Sequence, residues 1–225
     1  MKNVVAYSLW GDQPMYFVGA LRNIELVNKF YPGFISRFYI DKNCRNDLID
    51  TIKGDNVEVI LVDPKGSFDG MFWRFWAAED PDVDIFMSRD CDSRISEREV
   101  AAVNEWLKSD KDFHIMRDHP YHTVPILGGM WGCRNGLLRN VGLSSAIEKW
   151  KNHSTKGCDQ DFLGQVIYPY VYNKSIEHSE FGLRFGGEIK PFPTYRKDYE
   201  FVGDVFDENN VRHPEYWTFI KNIIG

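Results

Sequence analysis

Val83-Asp84-Ile85-Phe86-Met87-Ser88-Arg89-Asp90-Cys91-Asp92 decides the fold. Residues 83–87 form a short apolar run that reads as a buried strand. Two carboxylates, Asp90 and Asp92, follow at once, two positions apart. Ligands of open α/β sheets bind beyond the carboxyl ends of the strands, so this strand delivers the pair to the ligand edge. Carboxylates this close repel unless a cation neutralises them. Hard divalent ions, Mn²⁺ or Mg²⁺, take oxygen ligands and share them with substrate phosphates. One reading is therefore a metal held by Asp90 and Asp92 and bridging to a diphosphate. The other is a solvated acidic turn. Just beyond, Ser96-Glu97-Arg98-Glu99 has capping-box spacing, with Glu99 able to reach back to the cap, and starts a helix ending near residue 107.

Working outward, the first half alternates strands and helices. Residues 4–9 read as a buried strand ending in Ser8 and Leu9. A helix with Phe17, Leu21, Ile24 and Val27 on one face follows, and Tyr31-Pro32-Gly33 stops it. Strands are expected at 34–40, 57–62 and 113–116, and helices near 45–53 and over 69–79. This order predicts an α/β fold with a mainly parallel, doubly wound sheet. After residue 118 the pattern loosens. Helices fit 143–151, 159–167 and 214–223, and residues 168–210 read as short strands and loops. Pro125-Ile126-Leu127-Gly128-Gly129-Met130-Trp131-Gly132 reads as a strand whose glycines permit close backbone approach, or as a bulge or tight turn. The expectation is a single domain over 1–225, with a ligand-binding half at 1–117 and an irregular lobe at 118–225 packed on it.

Composition narrows the class. The 225 residues are 43% hydrophobic, enough for a large core. A net charge of −6 argues against a nucleic-acid binder. No run approaches the ~20 apolar residues of a membrane span, and residues 1–10 lack a signal-peptide core. Cys44, Cys91, Cys133 and Cys158 form no C-x-x-C pair. A cytoplasmic, reduced protein is the expectation. The charge is uneven. Residues 79–92 hold six acids and one base, whereas residues 184–197 hold four bases and one acid. The basic segment suits a diphosphate. The chain is also 15% aromatic, more than a core usually uses, so some rings could stack on a flat ligand face.

Phe72-Trp73-Arg74-Phe75-Trp76-Ala77-Ala78-Glu79-Asp80-Pro81-Asp82 and the strand after it resemble the GT-A glycosyltransferases, in which a helix carrying an Arg leads to a strand ending in D-x-D. The resemblance implies a GT-A mixed sheet flanked by helices. It also implies that Asp90 and Asp92 bind the metal and the donor diphosphate, and that Arg74 contacts the donor. A surface salt bridge to Glu79 or Asp80 is the alternative for Arg74. Cys158-Asp159-Gln160-Asp161-Phe162-Leu163 is similar to the D-Q-D-x-L segment of retaining GT-A enzymes of the glycogenin and galactosyltransferase type. By that likeness Asp159, Gln160 and Asp161 face the donor sugar and the reacting carbon. Capping of a helix start is the other reading of the two acids. Gly186-Gly187-Glu188-Ile189-Lys190-Pro191-Phe192 partly matches the family's H-x-x-G-x-x-K-P-W motif, with Arg184 at the His position. His178 is then the candidate third metal ligand, with a structural histidine as the alternative. The implied donor-binding set is Ser8, Leu9, Arg74, Asp90, Gly128, Gly129, Lys190 and Arg196. The chain also looks like the small GT-A enzymes that glycosylate viral capsid proteins or build bacterial surface polysaccharides.

The function expected is transfer of a sugar from a nucleotide-sugar donor, UDP-linked for preference, to a glycan or glycoprotein acceptor with retention. An inverting enzyme would need a side-chain base, and His119, Asp118 or Asp161 could serve. Two other classes stand beside it. A phosphohydrolase could use Asp90 as nucleophile, but that class usually carries its D-x-D on the first strand and has Thr or Val where Arg94 stands. A non-catalytic carbohydrate-binding protein would fit the aromatic excess.

Overall fold

The computed structural model describes residues 1–66 and 68–224. Eight strands, β1 (Lys2–Leu9), β2 (Phe34–Asp41), β3 (Val57–Val62), β4 (Val83–Ser88), β5 (Phe113–Arg117), β6 (Trp131–Arg134), β7 (Ser175–Ser179) and β8 (Glu188–Lys190), form one sheet. The order is β3-β2-β1-β4-β6-β5-β7-β8. Every pairing is parallel except the two made by β6, which runs antiparallel to β4 and β5. The second half joins the same sheet. It inserts β6 beside β4 and adds β7 and β8 beyond β5, continuing the first half's sheet.

Helices α1 (Pro14–Phe30), α2 (Asn46–Ile49), α3 (Gly70–Trp73), α4 (Glu97–Lys108), α5 (Leu143–Lys149), α6 (Cys158–Phe162), α7 (Tyr168–Val171) and α8 (Pro214–Ile224) surround the sheet. Alternation along β1 splits the core into two layers. Val4 and Ala6 pack with Phe72, Phe75, Trp131 and Phe162. Val5, Tyr7 and Leu9 pack with Phe17, Ile24 and Val27 of α1 and with Trp106 of α4. Trp131 is fully buried among Phe75, Phe86 and Phe113, at ring distances of 5.3, 4.8 and 5.3 Å. Truncating such a ring costs about 3–5 kcal/mol. Here it would also loosen the turn that enters β6.

Three local departures from the expected elements matter. Residues 125–130 form a turn, and only Trp131 onward is strand. The turn's Met130 N–H bonds back to the Leu127 carbonyl at 3.2 Å. α3 is one turn long and continues as a 3₁₀ segment, Arg74–Ala78. α6 passes into a π segment, Leu163–Ile167, and then into α7. The capping box at α4 is half formed. Ser96 Oγ accepts the Glu99 N–H at 3.2 Å, but the Glu99 side chain turns inward to Arg89 Nε at 2.8 Å. A buried guanidinium one residue beyond β4 outcompetes the backbone N–H for that carboxylate. No helix among the described residues is long and apolar enough to cross a membrane.

Candidate active site

The Asp90–Asp92 turn is built by removing its neighbours from solvent. The Arg89 N–H donates to the Ala6 carbonyl at 3.1 Å, extending the β1–β4 ladder by one residue. The Arg89 side chain then runs inward to Glu99, the Ser88 carbonyl and the Trp131 carbonyl. Cys91 is buried. Asp90 and Asp92, on either side of it, are therefore the residues left at the edge. α1 clamps the turn from outside. Asn23 Nδ2 donates to the Ser93 carbonyl at 2.9 Å, and a Cβ at Gly19 would overlap the Cys91 carbonyl.

Arg74 is the hub. Its backbone N–H donates to Ser8 Oγ at 3.0 Å, tying the helix to the end of β1. Its guanidinium pairs with Asp90 through Nη1 and with Asp159 through Nη2, the latter at 3.3 Å. It is only 5% exposed. Burial opposes its charge, but Asp90 and Asp159 more than offset that and raise its pKa further. The salt bridge to Glu79 or Asp80 open to Arg74 from the sequence is not made. Asp80 pairs with Arg37 at 2.7 Å, and Glu79 accepts from the Ser144 N–H at 2.9 Å.

The glycine turn completes the site. Ser88 Oγ donates to the Gly128 carbonyl at 2.6 Å. A Cβ on Gly128 would overlap the Asp159 carboxylate and press on Arg74, and one on Gly129 would overlap the Asp90 carboxylate. Glycine is required here by close approach.

Electrostatically the acids exceed the base. Burial, then repulsion from Asp90, raises the Asp92 pKa to about 6. Burial raises Asp159 to about 6 as well, against the pull of Arg74. Tyr16, half-buried on α1, has a raised pKa from burial and then from the charges of Asp92 and Asp90. Sequence reasoning missed Tyr16. Its signal was its place in the first turn of the helix after β1, at the ligand edge.

Ser8, Arg74, Asp90, Gly128, Gly129 and Asp159 therefore converge, with Asp92 beside them. Gln160 is half-buried and Asp161 exposed on the next positions of α6. Four expected site residues lie elsewhere. The Leu9 side chain is in the core layer under α1. His178 sits on β7, three strand spacings or roughly 14 Å from β4, with Nδ1 2.8 Å from His114 and Nε2 3.3 Å from Glu105. Lys190 pairs with Glu105 at 2.9 Å. Arg196 pairs with Asp118 at 2.6 Å. The reason is common to the last three: each has a protein counterpart on β5 or α4, or in the loop after β5. Lys197 is likewise paired, with Glu97 at 2.5 Å, so three of the segment's four bases, Lys190, Arg196 and Lys197, meet protein acids. Asp118 is closed off by Arg98 and Arg196. His119 is buried among Tyr121, Phe201 and Phe219.

Among the described residues no three His, Cys, Asp or Glu side chains form a metal cage. Asp90 and Asp92 do fit an ion of the Mg²⁺ or Mn²⁺ type, which needs one or two carboxylates and takes its other ligands from phosphates and water. After burial, the Asp90 charge is the second cause of the raised Asp92 pKa, and it is this repulsion that such an ion would offset.

No protein-family model and no curated protein sequence matches the chain. Solved structures match its fold. One is a glycosyltransferase involved in the glycosylation of the major capsid of PBCV-1, 14% identical with a TM-score of 0.51, covering 79% of this chain and 81% of that one. Another is the glycosyltransferase GlyE of Streptococcus pneumoniae TIGR4, at 13% and 0.52; this chain is covered over 79% but spans only 45% of GlyE. A third is a Bacillus anthracis protein assigned as a glucose-1-phosphate thymidylyltransferase and solved with sucrose, at 8% and 0.53, covering 81% and 88%. The fold is thus the Rossmann-like α/β arrangement of GT-A glycosyltransferases, which sugar nucleotidyltransferases share.

Proposed function

We propose that the chain is a nucleotide-sugar-dependent glycosyltransferase using Mn²⁺ or Mg²⁺, with a UDP-sugar as favoured donor, a glycan or glycoprotein as acceptor, and retention at the anomeric carbon. The observation that carries this reading is the Arg74 bridge. It brings the strand-end pair and the first residue of Asp159-Gln160-Asp161 to one point, although Arg74 and Asp159 are 85 positions apart.

In this reading Asp90 and Asp92 hold the metal, which supplies Lewis acidity to the leaving diphosphate when bound. Arg74 fixes the direction of Asp90 and adds positive charge beside the phosphates. Gly128 and Gly129 let the donor sugar lie against backbone. Asp159, ionised above about pH 6, faces the positive charge that develops at the anomeric carbon. Gln160 and Asp161 line the sugar side of the same helix start. The acceptor oxygen forms its bond to the anomeric carbon on the face that the diphosphate oxygen leaves, and the acceptor proton passes to that oxygen.

The fold is also compatible with nucleotidyl transfer. That reaction handles a triphosphate, and the loop after β1, Trp10-Gly11-Asp12-Gln13, offers one acid and no base to it. The test is a nucleotide-sugar panel with Mn²⁺, scored by donor hydrolysis, run beside nucleoside triphosphates with sugar 1-phosphates. Hydrolysis of a nucleotide sugar that Asp90→Asn abolishes is expected. Near-normal turnover in that variant would sink the metal assignment, and pyrophosphate release from triphosphates would replace the reading.

A further inference from the structure

We propose a second ligand site, for a neutral sugar ring of a glycan, in the cleft between the back of the Arg74 helix and α5. The cleft encloses ≈ 520 Å³, within the range of small-molecule sites. It is built on the same helix as the candidate active site but on another face. Arg74 and Trp76 are two positions apart on a segment with about three residues per turn, so their side chains diverge. Arg74 turns to Asp90 and Asp159, whereas Trp76 lines the cleft.

The lining has the chemistry of sugar recognition. Phe72 and Trp73 form an apolar floor, and Trp76 stands as a wall, held edge-on against Tyr39 at 5.7 Å. Asp63, Asp69 and Glu148 supply carboxylates around them, with Lys65 as the single lysine or arginine of the lining; Asp63 is paired with Lys42, and Asp69 lies 3.2 Å from His153. Glu148 is exposed and makes no hydrogen bond or ion pair among the described residues. Glu148, uncompensated beside two carboxylates that already have partners, disfavours a phosphate or a nucleotide. A neutral polyol meets no such penalty. Its C–H face covers an indole ring, and its hydroxyls donate to the carboxylates. The electrostatics thus separate this cleft from the Arg74 site, where a cationic hub and a metal pair suit a diphosphate.

The site does not depend on the transferase reading, so the two can fail separately. Tryptophan fluorescence and saturation-transfer NMR with maltotriose, lactose and chitotriose test it, with UMP and spermidine as charged controls. At least one sugar is expected to bind with an affinity of about 1 mM. Trp76→Ala should weaken that binding about tenfold. Glu148→Gln, at an exposed position that leaves the fold intact, should weaken it by about threefold. Asp90→Asn should leave it unchanged while ending donor turnover. Absence of binding by all three sugars at about 10 mM would overturn the proposal. So would equal affinity in Glu148→Gln and wild type, or displacement of the sugar signal by UMP or spermidine.

Discussion

Two buried charge clusters, one around Arg74 and one around Asp118, use the same residue types to opposite ends. Arg74 meets two carboxylates, with Asp92 close by, and Asp90 keeps 43% of its side chain exposed. Asp118 is fully buried, and its carboxylate accepts from Arg98 at 2.8 and 2.9 Å, from Arg196 at 2.6 Å and from the Val202 N–H at 2.9 Å. Arg98 adds Glu180 at 2.9 Å. The Asp118 cluster is compensated and ties the segment 180–202 to α4 and β5. The Arg74 cluster has surplus acid and an open side. A buried cluster satisfied by its own chain is a clasp, and one left short of cations is a place for a ligand.

The largest expected effect tests the clasp. Asp118→Ala leaves two buried guanidiniums short of a partner and should lower stability by about 3–5 kcal/mol in urea unfolding. An unchanged midpoint would show that the cluster is not the clasp described. The next effect tests the open site. Gly129→Ala pushes a Cβ into the Asp90 carboxylate. It should cut donor turnover on the order of 10²-fold with little change in melting temperature. Turnover near wild type would mean that Asp90 has room to move.

Acid titration separates two buried groups, His114 on β5 and Asp159 in the Arg74 cluster, by sign. His114 is fully buried, stacked on Trp106 at 5.2 Å, and its pKa is pushed well below the usual value by burial and then by His178. A histidine kept neutral when folded contributes stability that is present above its unfolded pKa of about 6.5 and is lost as pH falls below that, by up to about 1.4 kcal/mol per pH unit. Asp159 has the opposite sign. Its folded pKa of about 6 lies above the unfolded value, so acidification from pH 7 to 5 relieves its burial. Asp159→Asn should therefore make the acid loss of stability steeper between pH 7 and 5. A shallower profile would reverse the assignment. The smallest effect concerns Lys190. It is already paired with Glu105, so Lys190→Ala should leave donor turnover within about twofold. A large loss would return it to the donor site.

The residues that converge in the candidate site were legible because their signals are local. Asp90 and Asp92 follow an apolar strand, Arg74 lies on the helix before it, and Asp159 opens another helix. Gly128 and Gly129 were legible as points of close approach, with strand and tight turn both left open. Their run of apolar neighbours suits a strand equally well, and only the Met130-to-Leu127 bond and the Ser88 hydroxyl settle it. His178 lies apart from the candidate site for a different reason. Its imidazole is satisfied by His114, 64 positions away, and by Glu105, 73 positions away. Nothing in the spacing of the chain announces that pairing.

By itself the sequence determined the alternation of strands and helices, the start of α4 at Ser96, and the acidic pair at a strand end. Apolar periodicity and capping act over a few residues, so they can be read in one dimension. Tertiary structure decided that β6 runs antiparallel between β4 and β5, and that the second half extends the first half's sheet. It also decided which charges are spent on the protein and which remain for a ligand. Those outcomes depend on through-space partners tens of residues apart, whose distance and burial set whether a charge is compensated.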